Sequence, residues 1–174
     1  MKVIEGEETS VALKDAASAM SNIDSAKIFF GITLQRLQAS FPAAVHLTPD
    51  DIWPEFERLA GNGELSLRHS RASKVYSLSD LAKKPELQQY YTRQMLAWMK
   101  VEGYLVSDPI SNFKYDYILS SKSLALLNLS LSETEGTLGA KLKRVIGSIG
   151  DKAAGEIVSD LVGRAFEALQ GLSP

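Results

Sequence analysis

Apolar positions recur at helical spacing along much of the chain. Ile28, Phe29, Ile32, Leu37 and Phe41 predict a helix over residues 25–41, with Ser25 as its cap and Pro42 as its end. Val45-His46-Leu47 reads as a short extended piece. Thr48 then starts a second helix on several agreeing signals. Thr48 suits an N-cap, Pro49 takes the first helical position, and Asp50 and Asp51 favour the positive end of the helix dipole. Trp53, Phe56 and Leu59 form its inward face, and Gly61-Asn62-Gly63 stops it.

The pattern then becomes less regular. In residues 64–77, Leu65 and Leu67 alternate with polar residues before Val75-Tyr76, which fits either a short strand pair or an extended loop. Ser77 or Ser79 caps a short helix ending near Lys84. Pro85 opens a helix over residues 86–102, with Leu87, Tyr90, Tyr91, Leu96, Trp98, Met99 and Val101 as its apolar set and Gly103 as its stop. Tyr104-Leu105-Val106 predicts a strand, Asp108 to Asn112 carries turn chemistry, and Phe113 to Leu119 predicts the returning strand. A helix restarts over Ser121 to Leu127. Residues 128–137 read as a linker. Residues 138–172 read as helical, with Leu138, Leu142, Val145, Ile149, Ile157, Leu161 and Leu169 near every fourth position and a break near Gly147-Ser148 and Gly150. Residues 1–24 are polar and rich in small residues. They read as an N-terminal arm in which Val11, Leu13, Ala16, Ala17 and Met20 form a weak stripe.

The fold class expected from this order is mainly α with a small β-hairpin (α+β). Its order of helix, short strand, helix, helix, two-stranded hairpin and helix is similar to a winged helix-turn-helix. The local resemblance is best over residues 85–127. There a helix ends in Val101-Glu102-Gly103-Tyr104-Leu105-Val106, a hairpin follows, and Tyr117-Ile118-Leu119-Ser120-Ser121-Lys122-Ser123-Leu124-Ala125-Leu126-Leu127 closes it. Many winged-helix proteins have a similar passage of helix, Glu-Gly, hydrophobic strand, wing and strand, followed by a Lys-containing helix start. The resemblance implies a winged-helix-like domain over residues 25–127, the linker, and an additional C-terminal segment of amphipathic helices over 138–174. Two departures stand out. Residues 61–84 lengthen the connection between the second and third main helices. The wing, Asp108 to Asp116, holds one Lys and two Asp, where a phosphate-gripping wing would carry several basic residues.

Charge narrows the functional classes. The 174 residues carry a formal net charge of -2, lower than a generic polyanion binder would show. The distribution is uneven: residues 64–100 hold 7 basic against 3 acidic side chains, a local excess of +4. The absence of cysteine excludes disulfides, thiolate metal sites and Cys nucleophiles. The start of the chain is acidic and lacks a continuous apolar segment, so a secretory signal is not expected. No apolar run is long enough to cross a membrane, and a cytoplasmic location is the expectation.

For the winged-helix reading, the 86–102 helix is the candidate recognition helix. Gln88, Gln89, Thr92 and Arg93 lie on its early polar side and Lys100 further along; Arg pairs with guanine and Gln with adenine in the major groove. Arg68, His69, Arg71 and Lys74 form the tightest basic cluster and suit phosphate contact, although a solvated polar face explains both groups equally simply. Trp53, Tyr90, Tyr91 and Trp98 read as core rather than base-stacking residues. His46 and His69, the only histidines, are too few and too separated for a typical metal cluster, and no catalytic motif is present. An enzyme is therefore not expected, nor a cofactor or metal. In the C-terminal segment Gly155, Ser159 and Gly163 recur every four residues. That spacing lets two helix backbones approach closely, within one chain or between two. With Leu142 and Ile149, these form the candidate oligomerisation residues, and a homo-oligomer, as a dimer, is the expectation. The leading functional expectation is a DNA-binding transcriptional regulator on double-stranded DNA. The rival is a winged-helix module for protein–protein contact.

Overall fold

The computed structural model describes residues 22–61, 63–69, 72–111, 115–130, 136–148 and 152–171. The elements run α1 (Asn22–Ser40), β1 (Val45–His46), α2 (Pro49–Ala60), β2 (Glu64–His69), β3 (Ala72–Ser77), α3 (Leu78–Leu81), α4 (Pro85–Val101), β4 (Leu105–Ser107), β5 (Asp116–Leu119), α5 (Ser121–Leu127), α6 (Leu138–Gly147) and α7 (Lys152–Gly171). The architecture is mainly helical with a small antiparallel sheet. The expected N-terminal arm falls mostly outside the described residues.

The organising element is α1. Ile28, Phe29, Phe30, Gly31, Ile32, Thr33 and Leu34 are all buried in succession, so this helix lacks an outer face over two turns. A helix apolar on every side needs neighbours on every side. α2, α4, α6 and α7 supply them. Thr33, the polar exception, satisfies its hydroxyl by donating to the Phe29 carbonyl at 2.9 Å. Phe41, read from the sequence as part of this helix's apolar stripe, lies beyond the helix end and is exposed.

The second helix starts as its sequence dictates. The Thr48 N–H and hydroxyl both donate to the Asp51 carboxylate, at 2.8 and 2.6 Å, fixing the first turn. α2 ends at Gly61, whose φ of 56° lets the chain reverse into β2. Residues 64–77 resolve as a strand pair rather than a loop. Leu65 pairs with Tyr76 and Leu67 with Lys74, and alternation buries both leucines. Ser77 then caps α3 by accepting from the Asp80 N–H.

The three-stranded sheet has the order β1-β5-β4, all antiparallel. Val45 pairs with Tyr117, and Leu105 with Leu119. Tyr117 and Leu119 face the core while Asp116 and Ile118 are less buried, the alternation expected of a sheet covered on one side. Gly103, at φ 76°, turns α4 into β4. Ser120 caps α5, and the Ser123 hydroxyl donates to the Tyr104 carbonyl at 2.6 Å, tying α5 back to the start of β4.

The C-terminal helices belong to the same core as the rest. Leu138, Leu142, Ile146, Ala154, Val158, Leu161, Val162 and Ala165 join one buried cluster with Phe29, Phe30 and Phe56. They are therefore not an appendage to a complete domain. Gly31 faces Val158 and Val162, and Gly155 lies so close to α2 that a Cβ there would sit 1.9 Å from the Leu59 carbonyl oxygen. From α2, Arg58 donates to the carbonyls of Ile146 at 2.6 Å and Ser148 at 3.1 Å, satisfying the C-terminal end of α6.

Candidate nucleic-acid interface

The sequence of α4 separates two faces. Leu87, Tyr91, Met95, Leu96 and Met99 point into the core. Gln89, Arg93, Ala97 and Lys100 are exposed and fall on one side, because steps of three and four residues return to the same helix face. This outer stripe is roughly 16 Å long at the usual helical rise.

The basic side chains along the stripe are held by the β elements beside it. Lys84, immediately before Pro85, places its ammonium 5.2 Å from the centre of the Tyr76 ring on β3. The Arg93 guanidinium lies 5.5 Å from the centre of the Tyr115 ring, immediately before β5. Lys100 donates to the Ser107 hydroxyl on β4 at 2.7 Å. A cation over an aromatic face keeps its charge while losing conformational freedom. Arg93 and Lys100 are thus each held on the exposed face of α4, while Lys84 is held separately beside β3, before the helix begins.

The connection between β4 and β5 has the opposite character. His46 Nδ1 lies 2.7 Å from an Asp116 carboxylate oxygen, and the Ser111 hydroxyl donates to the other oxygen. These bonds, Ser111 first and His46 second, hold the Asp116 carboxyl below the usual carboxylate range. Asp108 accepts from the Ile110 N–H. Asp108 faces the turn, and Asp116 is held between the turn and β1. The Ile110 side chain in this turn is 88% exposed.

The other sequence candidates distribute as follows. Gln88 is half-buried and Gln89 exposed. Lys74 is exposed on β3. Arg68 lies in β2, but its side chain is outside the described residues, as are Arg71 and the His69 ring. Thr92 corrects the expected polar face. It is 2% exposed and accepts from the Trp53 indole N–H at 3.0 Å, so it faces the core and cannot reach a ligand. The position is dictated by Tyr91 beside it: both sit between α1 and α2, where a buried indole needs an acceptor.

The small-residue stripe is also occupied within the chain. Gly155 abuts Leu59, and Leu142 is fully buried. Ser159 donates to Asp24 at 2.8 Å, and Gly163 faces Lys27. Within the chain this stripe packs against α1 and α2. Leu142, Gly155 and Ser159 are therefore buried inside the chain rather than displayed on its surface. Ile149 lies outside the described residues.

Sequence reasoning missed Lys84 and Tyr115. Lys84 precedes a helix-opening proline, a position that fixes a side chain near the helix start. Tyr115 lies two residues before the buried Tyr117, on the same side of the extended chain, and its ring sits beside His46 of β1 and Arg93 of α4.

The chemistry available here is electrostatic. Among the described residues, no group of three or more His, Asp and Glu is placed to hold a metal ion. The deeply buried Tyr91 phenol is pushed above the ordinary phenol range by burial and has no solvent access. No helix of the described residues is long and apolar enough to cross a membrane. Comparison with protein-family profiles, with curated proteins and with solved structures found no match.

Proposed function

We propose that the chain is a winged-helix protein that binds double-stranded DNA through α4. The observation that carries this reading is the exposed face of α4, where Arg93 and Lys100 are each held in place on the same side as Gln89, with Lys84 held just before the helix. The topology supports it. A helix, a short strand, two further helices and a hairpin, with the first strand pairing the last and the middle strand at the edge, is the winged-helix order. In this reading Gln89 and Arg93 face base edges in the major groove, while Lys84, Lys100, Lys74, Arg68 and Arg71 meet phosphates. The β2–β3 hairpin is inserted between α2 and α4 in the chain, and its Tyr76 holds Lys84 at the start of α4. Transcriptional regulation is the role that such binding would serve.

The test is fluorescence anisotropy with duplexes selected from a random pool, at two salt concentrations. A protein meeting several phosphates loses affinity steeply as salt rises. Alanine at Arg93 should weaken the selected duplex by roughly tenfold or more, as removal of a bidentate base contact does. No duplex enriched even at low salt would refute the proposal.

A second reading has one observation in its favour. The exposed Ile110 beside Asp108, with no basic side chain among the described residues of the β4–β5 turn, suits a protein surface better than a phosphate backbone. In that case the chain is a winged-helix contact module. Binding of a protein partner that alanine at Ile110 abolishes, with no duplex selected, would favour it.

A further inference from the structure

An open cleft of about 530 Å³ lies at the far end of α4 from its proline. It is lined by Trp98 and Glu102 at the end of α4, Tyr104 before β4, Lys122 on α5, and Phe166, Leu169 and Gln170 on α7. Its floor is aromatic. Phe30 of α1 packs 4.9 Å from Tyr104, 5.0 Å from Phe166 and 6.0 Å from Trp98, ring centre to ring centre, so three rings stand around a fourth. Trp98 keeps 41% of its surface exposed although the ring packs against this cluster. A tryptophan with one face in the core and the other open to a concave surface provides a flat stacking wall.

The polar end of the cleft carries an ammonium that is fixed in place. The Lys122 ammonium donates to the Glu102 carbonyl at 2.7 Å and lies 4.0 Å from the centre of the Tyr104 ring. An ammonium carries three donors, and the carbonyl takes one. An organic cation would have to evict this anchored charge before reaching the rings. An anion would instead find a donor already oriented, with the Gln170 amide on the same rim. The Glu102 side chain is exposed on that rim as well, which disfavours a second negative charge on the ligand.

The geometry points to a binding site for a small aromatic monocarboxylate. Its ring lies against Trp98 and Phe166, and its carboxylate meets Lys122. The volume is in the range of small-molecule sites, and apolar walls with one charged group fixing orientation is their usual construction. The site is distinct from the basic ridge on α4 and does not depend on the DNA reading.

The test is a titration followed by the indole N–H signals in two-dimensional NMR. Trp98 lines the cleft, whereas Trp53 is buried against Thr92 and serves as an internal reference. Phenylacetate should shift the Trp98 signal saturably and leave Trp53 in place. Phenylacetamide and benzylamine, which share the ring but not the negative charge, should bind roughly tenfold more weakly or not at all. Lys122→Met should lose the same tenfold, while Lys122→Arg, which keeps the charge, should retain binding and shows that the fold tolerates change at this position. The absence of a saturable Trp98 shift, benzylamine binding as tightly as phenylacetate, or unchanged affinity in Lys122→Met would each overturn the assignment.

Discussion

Replacing Gly155 by alanine tests how far the C-terminal helix is part of the core. On a solvated helix the change would stabilise the protein by up to about 1 kcal/mol, because alanine is the better helix former. Here the added Cβ would lie 1.9 Å from the Leu59 oxygen and 2.8 Å from its carbonyl carbon. Carbon and oxygen settle at about 3.3 Å, so α7 must retreat from α2 by more than about 1 Å. A backbone carbonyl at a helix end cannot rotate aside as a side chain can. A retreat of that size forfeits a large part of the dispersion contacts of Ala154 and Val158, and overpacked cores lose about 1–3 kcal/mol and sometimes more. We expect a net loss of roughly 2–3 kcal/mol, since the retreat runs along a whole helix. At the size of this chain that lowers Tm by roughly 4–12 °C. Urea unfolding followed by circular dichroism gives the free energy, with Gly147→Ala as the control. Nothing lies within 4 Å of a Cβ at Gly147, so that variant should be unchanged or slightly stabilised. A Gly155→Ala protein as stable as the parent would refute the packing of α7 against α2.

Three further outcomes follow from particular contacts. Arg58→Ala removes the donors to Ile146 and Ser148 at the end of α6, and a loss of about 1.5–3 kcal/mol in the same urea experiment is expected. Thr92→Val leaves the Trp53 indole N–H buried without an acceptor; about 1–3 kcal/mol should be lost, with a changed Trp53 emission spectrum. Asp116 has a folded-state pKa below its unfolded value, so its contribution to stability is present above the unfolded carboxylate pKa and is lost as pH falls through the folded one. Unfolding free energies measured between neutral and acidic pH should therefore fall less steeply in Asp116→Asn than in the parent, and parallel curves would contradict the Ser111 and His46 bonds to this carboxylate.

Much of the fold was legible because local signals agreed with tertiary demand. Thr48, Pro49 and Asp51 define the start of α2 within one turn of chain, and the structure uses them as written. The same holds for Gly103, which must adopt a positive φ, and for the alternation of Tyr117 and Leu119. The illegible parts depend on distant partners. Nothing near Gly155 in sequence reveals that Leu59 will approach it, so its spacing with Ser159 and Gly163 was equally compatible with self-association. Thr92 is polar at a position that reads as outward, and only the buried Trp53 indole explains why it turns inward. For the candidate site, Gln89, Arg93 and Lys100 were found from helical spacing alone. The aromatic and hydroxyl supports from Tyr76, Tyr115 and Ser107 were not, because they come from two strands and a turn whose placement against α4 no sequence pattern encodes.

The central claim is that the ridge on α4 grips DNA. The most direct measurement is the affinity of the parent and of an Arg93→Ala, Lys100→Ala double variant for one selected duplex, across a series of salt concentrations. Two lost contacts should weaken binding by tenfold or more at low salt. They should also flatten the dependence of log affinity on log salt by about one unit for each phosphate contact removed. Both residues are exposed, so folding should be unaffected, and circular dichroism verifies this. A double variant that binds like the parent, with the same salt slope, would contradict the claim.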